Sequence, residues 1–340
     1  MKELLETPYE KMVVSCLKTS EAADYDAILS FYVRCHERKL FEFANHHEVA
    51  PLVAMRLRHL GKSSPLWNGV ADDWKYRLTQ RFEKLDLLSD ALHAAGISVM
   101  AVKNAAIARA IYPVWEECPM GNFDLLVLPS DFDRATQVLL EAGMTSGDGT
   151  ARSASREFSA ELADDTLWIR LQTRPSYHPL ALPEHLGRTE QLFERAFAVD
   201  GCALKIPHPM DHLAIVCMSI VRRRYVCVPG IRMYSEVDRI VRRTPSFPWE
   251  AFVRHVRFMG STAYFALYIP KMLLDTPIPE DVLDALRPQK AAFQRFMAVI
   301  RRRGLFYPPK MLPLWRECQI LSAICDTPVD FFRALFDRGR

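Results

Sequence analysis

The sequence predicts an α+β protein in which a small mixed β-sheet is flanked by an N-terminal helical segment and a C-terminal helical domain. Residues 9–62 show the three- and four-residue spacing of apolar side chains that is typical of helices. Residues 97–173 contain four apolar runs with strand character, and helical spacing returns from residue 208 onward. We therefore expect three segments, at residues 1–74, 75–180 and 181–340.

Composition indicates a soluble globular protein and gives no argument for a nucleic-acid partner. The 340 residues are 49% hydrophobic and 25% charged, which suits a chain with a sizeable core, and the net charge is only +3. No segment approaches 18 uncharged apolar residues, so we expect no membrane association. The eight cysteines are scattered without a Cys-x-x-Cys pair, which argues against structural zinc and favours reduced thiols in the cytoplasm.

The N-terminal segment is predicted to be helical. The expected helices cover residues 10–17, 25–38 and 50–60. Gly61 follows the last of them, as a helix C-terminus requires. The run His46-His47-Glu48 contains potential metal ligands, but zinc sites on helices usually space them as His-x-x-x-His. We therefore interpret this run as a helix-entry turn.

The centre of the sequence alternates helices and strands. The predicted elements are a helix over residues 74–95, a strand over 97–102, a helix over 103–112, a strand over 123–128, a helix ending at Gly143, and strands over 157–162 and 166–173. Gly96 is expected to end the first helix with a left-handed cap. Residues 145–153 are small and polar, so they are predicted to form a loop.

The C-terminal segment is predicted to be helical over residues 209–223, 231–243, 248–259 and 264–274, and again after Pro279. Ser246 is the expected N-cap of the third helix. The arginine triplets at 222–224 and 301–303 lie at helix ends, where cations complement the helix dipole. No aromatic residues interleave with them, so a nucleic-acid partner is not expected. Three histidines are interpreted as structural: His178, His208 and His212.

Two polar residues mark the start of the second predicted strand. Asn122 and Asp124 flank Phe123, so the two-residue period of a strand places both polar side chains on one face. Phosphoryl-transfer enzymes use two carboxylates in this arrangement to hold Mg²⁺, which in turn binds a triphosphate. Here the first residue is an amide, which cannot bridge two metal ions as a carboxylate does. Lys103, at the start of the preceding helix, is a candidate anion ligand.

The central segment resembles the uncharacterised bacterial nucleotidyltransferase family of the polymerase-β-like superfamily. The matching motifs are Lys103, Tyr112-Pro113, Pro119-Met120-Gly121 and Asp124-Leu125-Leu126-Val127, all with the family's spacing. The resemblance extends over most of the chain, from about residue 45 to about residue 280.

The resemblance implies a nucleotidyltransferase fold and a set of site residues. It places Asn122, Asp124 and Arg170 in the three catalytic positions, with Asp124 as the remaining metal ligand. It places Lys103, Asn104 and Gln172 in the nucleotide-binding positions. Five positions differ from the family pattern: Asn104 replaces glycine, Cys118 arginine, Asn122 aspartate, Arg170 aspartate and Gln172 histidine. If Asn122 were an engineered replacement that traps a ligand, this would explain the change at position 122 but not those at Asn104, Arg170 and Gln172.

Two functions are compatible with these replacements. The first is a nucleotidyltransferase-fold protein with a degraded metal site, acting as a binding or accessory protein in a biosynthetic pathway for a modified peptide or a polysaccharide. Arg170 would then pair with Asp124 and leave a site for a nucleotide or other anionic ligand without metal. The second is an active nucleotidyl- or phosphotransferase that uses Mg²⁺ and a nucleoside triphosphate on a sugar or peptide acceptor. It would need a further carboxylate, such as Glu161, Asp164 or Asp165.

Overall fold

A computed structural model of the protein describes residues 5–19, 23–112, 115, 118–147, 155–175, 189–223, 225, 230–303, 305, 314–325 and 331. Several features of the sequence analysis lie outside these residues: Pro113, residues 148–153, His178 and Arg224. The architecture is α+β, as predicted. None of the described helices is long and apolar enough to cross a bilayer.

Among the described residues up to Gln172, the structure has seven α-helices and five strands. In order, the elements are α1 (Pro8–Leu17), α2 (Tyr25–Tyr32), α3 (Glu37–His46), α4 (Ala50–His59), α5 (Pro65–Ala94), β1 (Val99–Val102), α6 (Asn104–Ala110), β2 (Phe123–Leu126), α7 (Phe132–Glu141), β3 (Thr145–Ser146), β4 (Ser155–Glu161) and β5 (Thr166–Gln172).

The described residues that follow complete the sheet and then form helices. The elements are α8 (Thr189–Arg195), β6 (Phe197–Ala198), β7 (Leu204–Ile206), α9 (Pro209–Arg222), α10 (Gly230–Arg243), α11 (Trp249–Val256), α12 (Ser261–Leu274), α13 (Glu280–Ala285), α14 (Lys290–Arg303) and α15 (Leu314–Ile324).

The chain divides into two compact units. One brings the first and last helices together and comprises residues 1–56, 177–183 and 213–340. The other contains the sheet and comprises residues 57–176 and 184–212. The division into segments 1–74, 75–180 and 181–340 stays a prediction, because compactness alone does not define an independently folding domain.

Some predicted helices differ from those observed. The single helix expected over residues 25–38 is two helices, because His36 has an extended backbone and α3 starts after it. Helix α5 begins at Pro65 rather than Trp74, since the Ser64 side chain accepts a hydrogen bond from the Trp67 amide and proline favours the first turn. Ser246 does not cap α11: its φ is 53°, and Pro248 occupies the N-cap without a side-chain hydrogen bond.

Seven strands form one mixed sheet in the order β3-β4-β5-β2-β1-β7-β6. Strands β2 and β5 run parallel, whereas β4 and β5 form an antiparallel hairpin. The predicted strands correspond to β1, β2, β4 and β5. Thr145 and Ser146, predicted as part of a loop, form β3 instead by pairing with Ser159 and Phe158 of β4.

The long helix α5 covers one face of the sheet. The ring centroids of Phe82 in α5 and Phe123 in β2 are 5.0 Å apart, and both side chains are buried. Side chains alternate along a strand, so Asp124 projects from the opposite face. On β5 the same alternation buries Ile169 and sends Arg170 to the face of Asp124. We call this second surface the Asp124 face.

Candidate functional site

Lys103 connects β1 to α6 in a backbone conformation that side chains rarely adopt. Its φ and ψ are 55° and −129°. A residue with a Cβ atom in such a region is strained by roughly 1–3 kcal/mol. Its carbonyl accepts a hydrogen bond from the Ile107 amide at 2.8 Å and lies 3.3 Å from Nε2 of His212. These two contacts of the Lys103 carbonyl therefore help to keep the backbone of Lys103 in its strained conformation. Lys103 precedes α6 rather than starting it, and the predicted anion site at this helix start stays a prediction.

His212 is buried and neutral at physiological pH. Burial lowers the pKa of its imidazole to about 4, although the Lys103 carbonyl and the Asp211 carboxylate both act to raise it. A carbonyl oxygen can only accept, so a hydrogen bond between the two groups requires Nε2 to carry the proton. Asp211 is itself fixed, because Arg195 donates two hydrogen bonds of 2.9 Å to its carboxylate.

Asp124 is in contact with two positively charged side chains. Its Oδ1 atom lies 3.1 Å from Nζ of Lys103 and 3.8 Å from Nη1 of Arg170. The β2–β5 register places Asp124 directly opposite Arg170. The ion pair between these two residues, expected from the sequence, is therefore present. The side chain of Asp124 is only 12% exposed, so water screens these contacts weakly.

Arg170 also binds a carboxylate that the sequence analysis did not identify. Its Nε and Nη2 atoms donate hydrogen bonds to Oε1 of Glu157 at 3.1 and 2.6 Å. Glu157 lies directly opposite Arg170 in the β4–β5 hairpin. The sequence contained a signal for this contact: a hairpin that turns between Glu161 and Thr166 brings residues 157 and 170 into register.

The four charged side chains alternate in sign and cancel. Lys103 contacts Asp124, Asp124 contacts Arg170, and Arg170 contacts Glu157. We call these four residues the charge quartet. It contains two positive and two negative groups, so its formal charge is zero.

The other predicted site residues lie near the quartet in the chain. Asn122 is exposed and precedes β2. Asn104 is the first residue of α6, and its carbonyl lies 3.9 Å from Sγ of Cys118. Gln172 is buried at the end of β5, opposite Leu126 of β2 and Ser155 of β4. The roles assigned to these three residues stay predictions.

The three carboxylates considered as replacements lie at the other end of the β4–β5 hairpin. Arg81 donates hydrogen bonds of 2.6 and 2.9 Å to Asp165. Burial acts to raise the pKa of Asp165, but the Arg81 hydrogen bonds and charge outweigh it and hold this pKa below its ordinary value. Asp164 accepts from the Tyr76 hydroxyl at 3.3 Å. Glu161 pairs across the hairpin with Thr166, which is four residues, or about 13 Å, from Arg170.

The donor set around Asp124 does not fit a Mg²⁺ ion. Magnesium takes near-octahedral oxygen ligands at about 2.0–2.1 Å. Asp124 is the one carboxylate among the three residues that the sequence analysis assigned to catalysis, and its Oδ1 atom already faces both Lys103 and Arg170. Among the residues that the structure describes, no group of three or more His, Cys, Asp or Glu side chains could hold a metal ion. Glu48, from the histidine-rich run, pairs with Arg232.

Comparison with known proteins identifies the family of the chain. The sequence model of a family described as uncharacterised nucleotidyltransferase matches residues 36–273, about seven tenths of the chain. The matched region contains all four members of the charge quartet. No curated protein in the comparison matches the sequence. From the match of the family model over residues 36–273 we conclude that the chain belongs to the uncharacterised nucleotidyltransferase family.

Proposed function

We propose that this protein binds a nucleotide or another anionic ligand without a metal ion and acts as a binding or accessory protein, in place of metal-dependent nucleotidyl transfer. The observation that carries the proposal is the contact of both Lys103 and Arg170 with the one inherited carboxylate, Asp124. The resemblance to the family suggests a role in a biosynthetic pathway for a modified peptide or a polysaccharide.

Electrostatics disfavours a divalent cation at this position. Two unit charges 4 Å apart interact by about 4 kcal/mol at the effective dielectric constant of a protein surface. A divalent ion beside Asp124 would be attracted by one carboxylate and repelled by Lys103 and Arg170. Glu157 brings the sum of charges to zero, but a divalent ion at Asp124 would still have Lys103 and Arg170 as close positive neighbours.

An anionic ligand can use donors that the quartet does not occupy fully. The guanidinium of Arg170 has five N–H donors. Nη1 of Arg170 lies 3.8 Å from Asp124, beyond hydrogen-bonding range, whereas Nε and Nη2 bind Glu157. Phosphate oxygens could therefore bind Nη1 while the pair with Glu157 is retained.

Calorimetric titration tests this proposal. ATP, GTP, CTP, UTP and inorganic pyrophosphate are titrated with Mg²⁺ and again with a chelator, using the wild type and Asn122→Asp. We expect binding of at least one of these anions, with an affinity that the chelator leaves unchanged and that Arg170→Ala weakens. Arg156→Ala is the matched control, because Arg156 alternates to the other face of the same hairpin. Strictly Mg²⁺-dependent binding, or no binding of any of the five anions, would contradict the proposal.

The second candidate function is a Mg²⁺-dependent nucleotidyl- or phosphotransferase with a sugar or peptide acceptor. Membership of the family supports it. Glu157, rather than Glu161, Asp164 or Asp165, would be the partner of Asp124, and Arg170 would have to move away. Release of labelled pyrophosphate from γ-labelled nucleotides that requires Mg²⁺ and is lost in both Asp124→Asn and Glu157→Gln would establish nucleotidyl transfer.

A further inference from the structure

We infer that the guanidinium of Arg170 is a built-in substitute for a divalent cation, held between the carboxylates of Asp124 and Glu157, and that removing it creates a divalent-cation site formed by those two groups. The inference concerns the apoprotein. It does not depend on which anionic ligand the protein binds.

The sheet geometry places one carboxylate on each side of Arg170. Strand β5 lies between β2 and β4, and Arg170 is in register with Asp124 on one side and with Glu157 on the other. All three side chains project from the Asp124 face. The guanidinium spans both partners, with Nη1 3.8 Å from Asp124 and Nη2 2.6 Å from Glu157. The two carboxylates are therefore each within reach of one small cationic group.

The chemistry of the pair suits a hard cation once the guanidinium is removed. Carboxylate oxygens are the ligands that Mg²⁺ and Mn²⁺ prefer, and Mg²⁺ is commonly bound by one or two carboxylates with water completing the shell. Without Arg170 the quartet becomes a trio of two carboxylates and Lys103, with a formal charge of −1. Within the quartet, Lys103 pairs with Asp124, so Glu157 would lose its positive partner and gain one in the metal ion.

This arrangement explains why the site tolerates an arginine where the family pattern has an acidic residue. A third carboxylate facing Asp124 would need metal ions to offset the repulsion between like charges. Arginine offsets it permanently, and its planar fork matches carboxylate geometry better than a lysine would. Glu157 completes the arrangement. Without it, Lys103 and Arg170 would together carry one positive charge more than Asp124 offsets, and the side chain of Arg170 is only 29% exposed.

Binding of Mn²⁺, followed by electron paramagnetic resonance of the free ion with no nucleotide present, tests the inference. We expect Arg170→Ala to bind Mn²⁺ about tenfold more tightly than the wild type or more, because a unit charge is removed next to both ligands. The double variant Arg170→Ala/Glu157→Gln should return to the weak binding of the wild type. The matched control Arg156→Ala, with the same loss of charge in the same hairpin, should bind as the wild type does.

Two results would overturn the inference. One is Mn²⁺ binding by the wild type that equals that of Arg170→Ala. The other is tight binding by Arg170→Ala that persists in the double variant. Arg170→Gln keeps most of the side-chain volume and serves the same test if the alanine variant does not fold. Because no nucleotide is present, the outcome is separate from whether nucleotide binding needs Mg²⁺.

Discussion

Acidification should destabilise the protein through His212, whose side chain supports Lys103. Burial lowers the pKa of this histidine from 6.5 to about 4 in the folded state, whereas an unfolded histidine keeps its ordinary value. Between these values the unfolded state binds more protons, so the free energy of unfolding falls as the pH falls through this window. From pH 7 to pH 5 the shift corresponds to about 2 kcal/mol, at about 1.36 kcal/mol per pKa unit.

The substitution His212→Gln isolates this contribution. Glutamine does not titrate, and its amide can still donate to the Lys103 carbonyl. Urea unfolding at pH 7 and pH 5 should show a fall in stability that is about 2 kcal/mol smaller in the variant than in the wild type. His47 contributes a similar fall to both proteins, because burial and the neighbouring His46 lower its pKa to about 4. His93→Gln, at an exposed position of α5, is the control. An identical pH dependence in wild type and His212→Gln would refute the reasoning.

Two further changes test how the site is built. In urea unfolding, Lys103→Gly should be more stable than Lys103→Ala by about 1 kcal/mol. Both variants lose the ion pair with Asp124, but only glycine adopts the positive φ without strain. Equal stabilities of the two variants would argue against strain at this position. Asp165→Asn should cost about 3 kcal/mol, since it leaves Arg81 without its carboxylate at a side chain 13% exposed. The control Asp73→Asn, at the exposed pair with Arg77, should cost less than about 1 kcal/mol, and a similar loss in both would contradict the role of burial.

Local patterns were sufficient to predict the elements that carry most of the site. Apolar runs indicated β1, β2, β4 and β5, and the glycines at 61 and 96 end their helices with left-handed φ values of 64° and 73°, as expected. Strands β6 and β7 were missed because two or three residues are too few to show a two-residue period.

Features that depend on contacts distant in sequence could not be predicted in the same way. Glu157 was missed because its role follows from the register of a hairpin and not from its neighbours in the chain. The packing of α1 with α10 also depends on residues distant in sequence. Nη1 of Arg239 in α10 donates a hydrogen bond to the Leu17 carbonyl of α1 at 3.1 Å. No periodicity within either helix encodes that pairing.

The neutrality of the charge quartet also has a consequence for single substitutions around it. Aspartate at position 170 would leave Lys103 as the one positive group among three carboxylates, and aspartate at position 122 would add a negative charge while Arg170 still faces Asp124. The side chains of Asp124, Lys103 and Arg170 are only 12–29% exposed, so water screens such a change weakly. Either change to aspartate therefore leaves a net negative charge that a bound cation would have to offset.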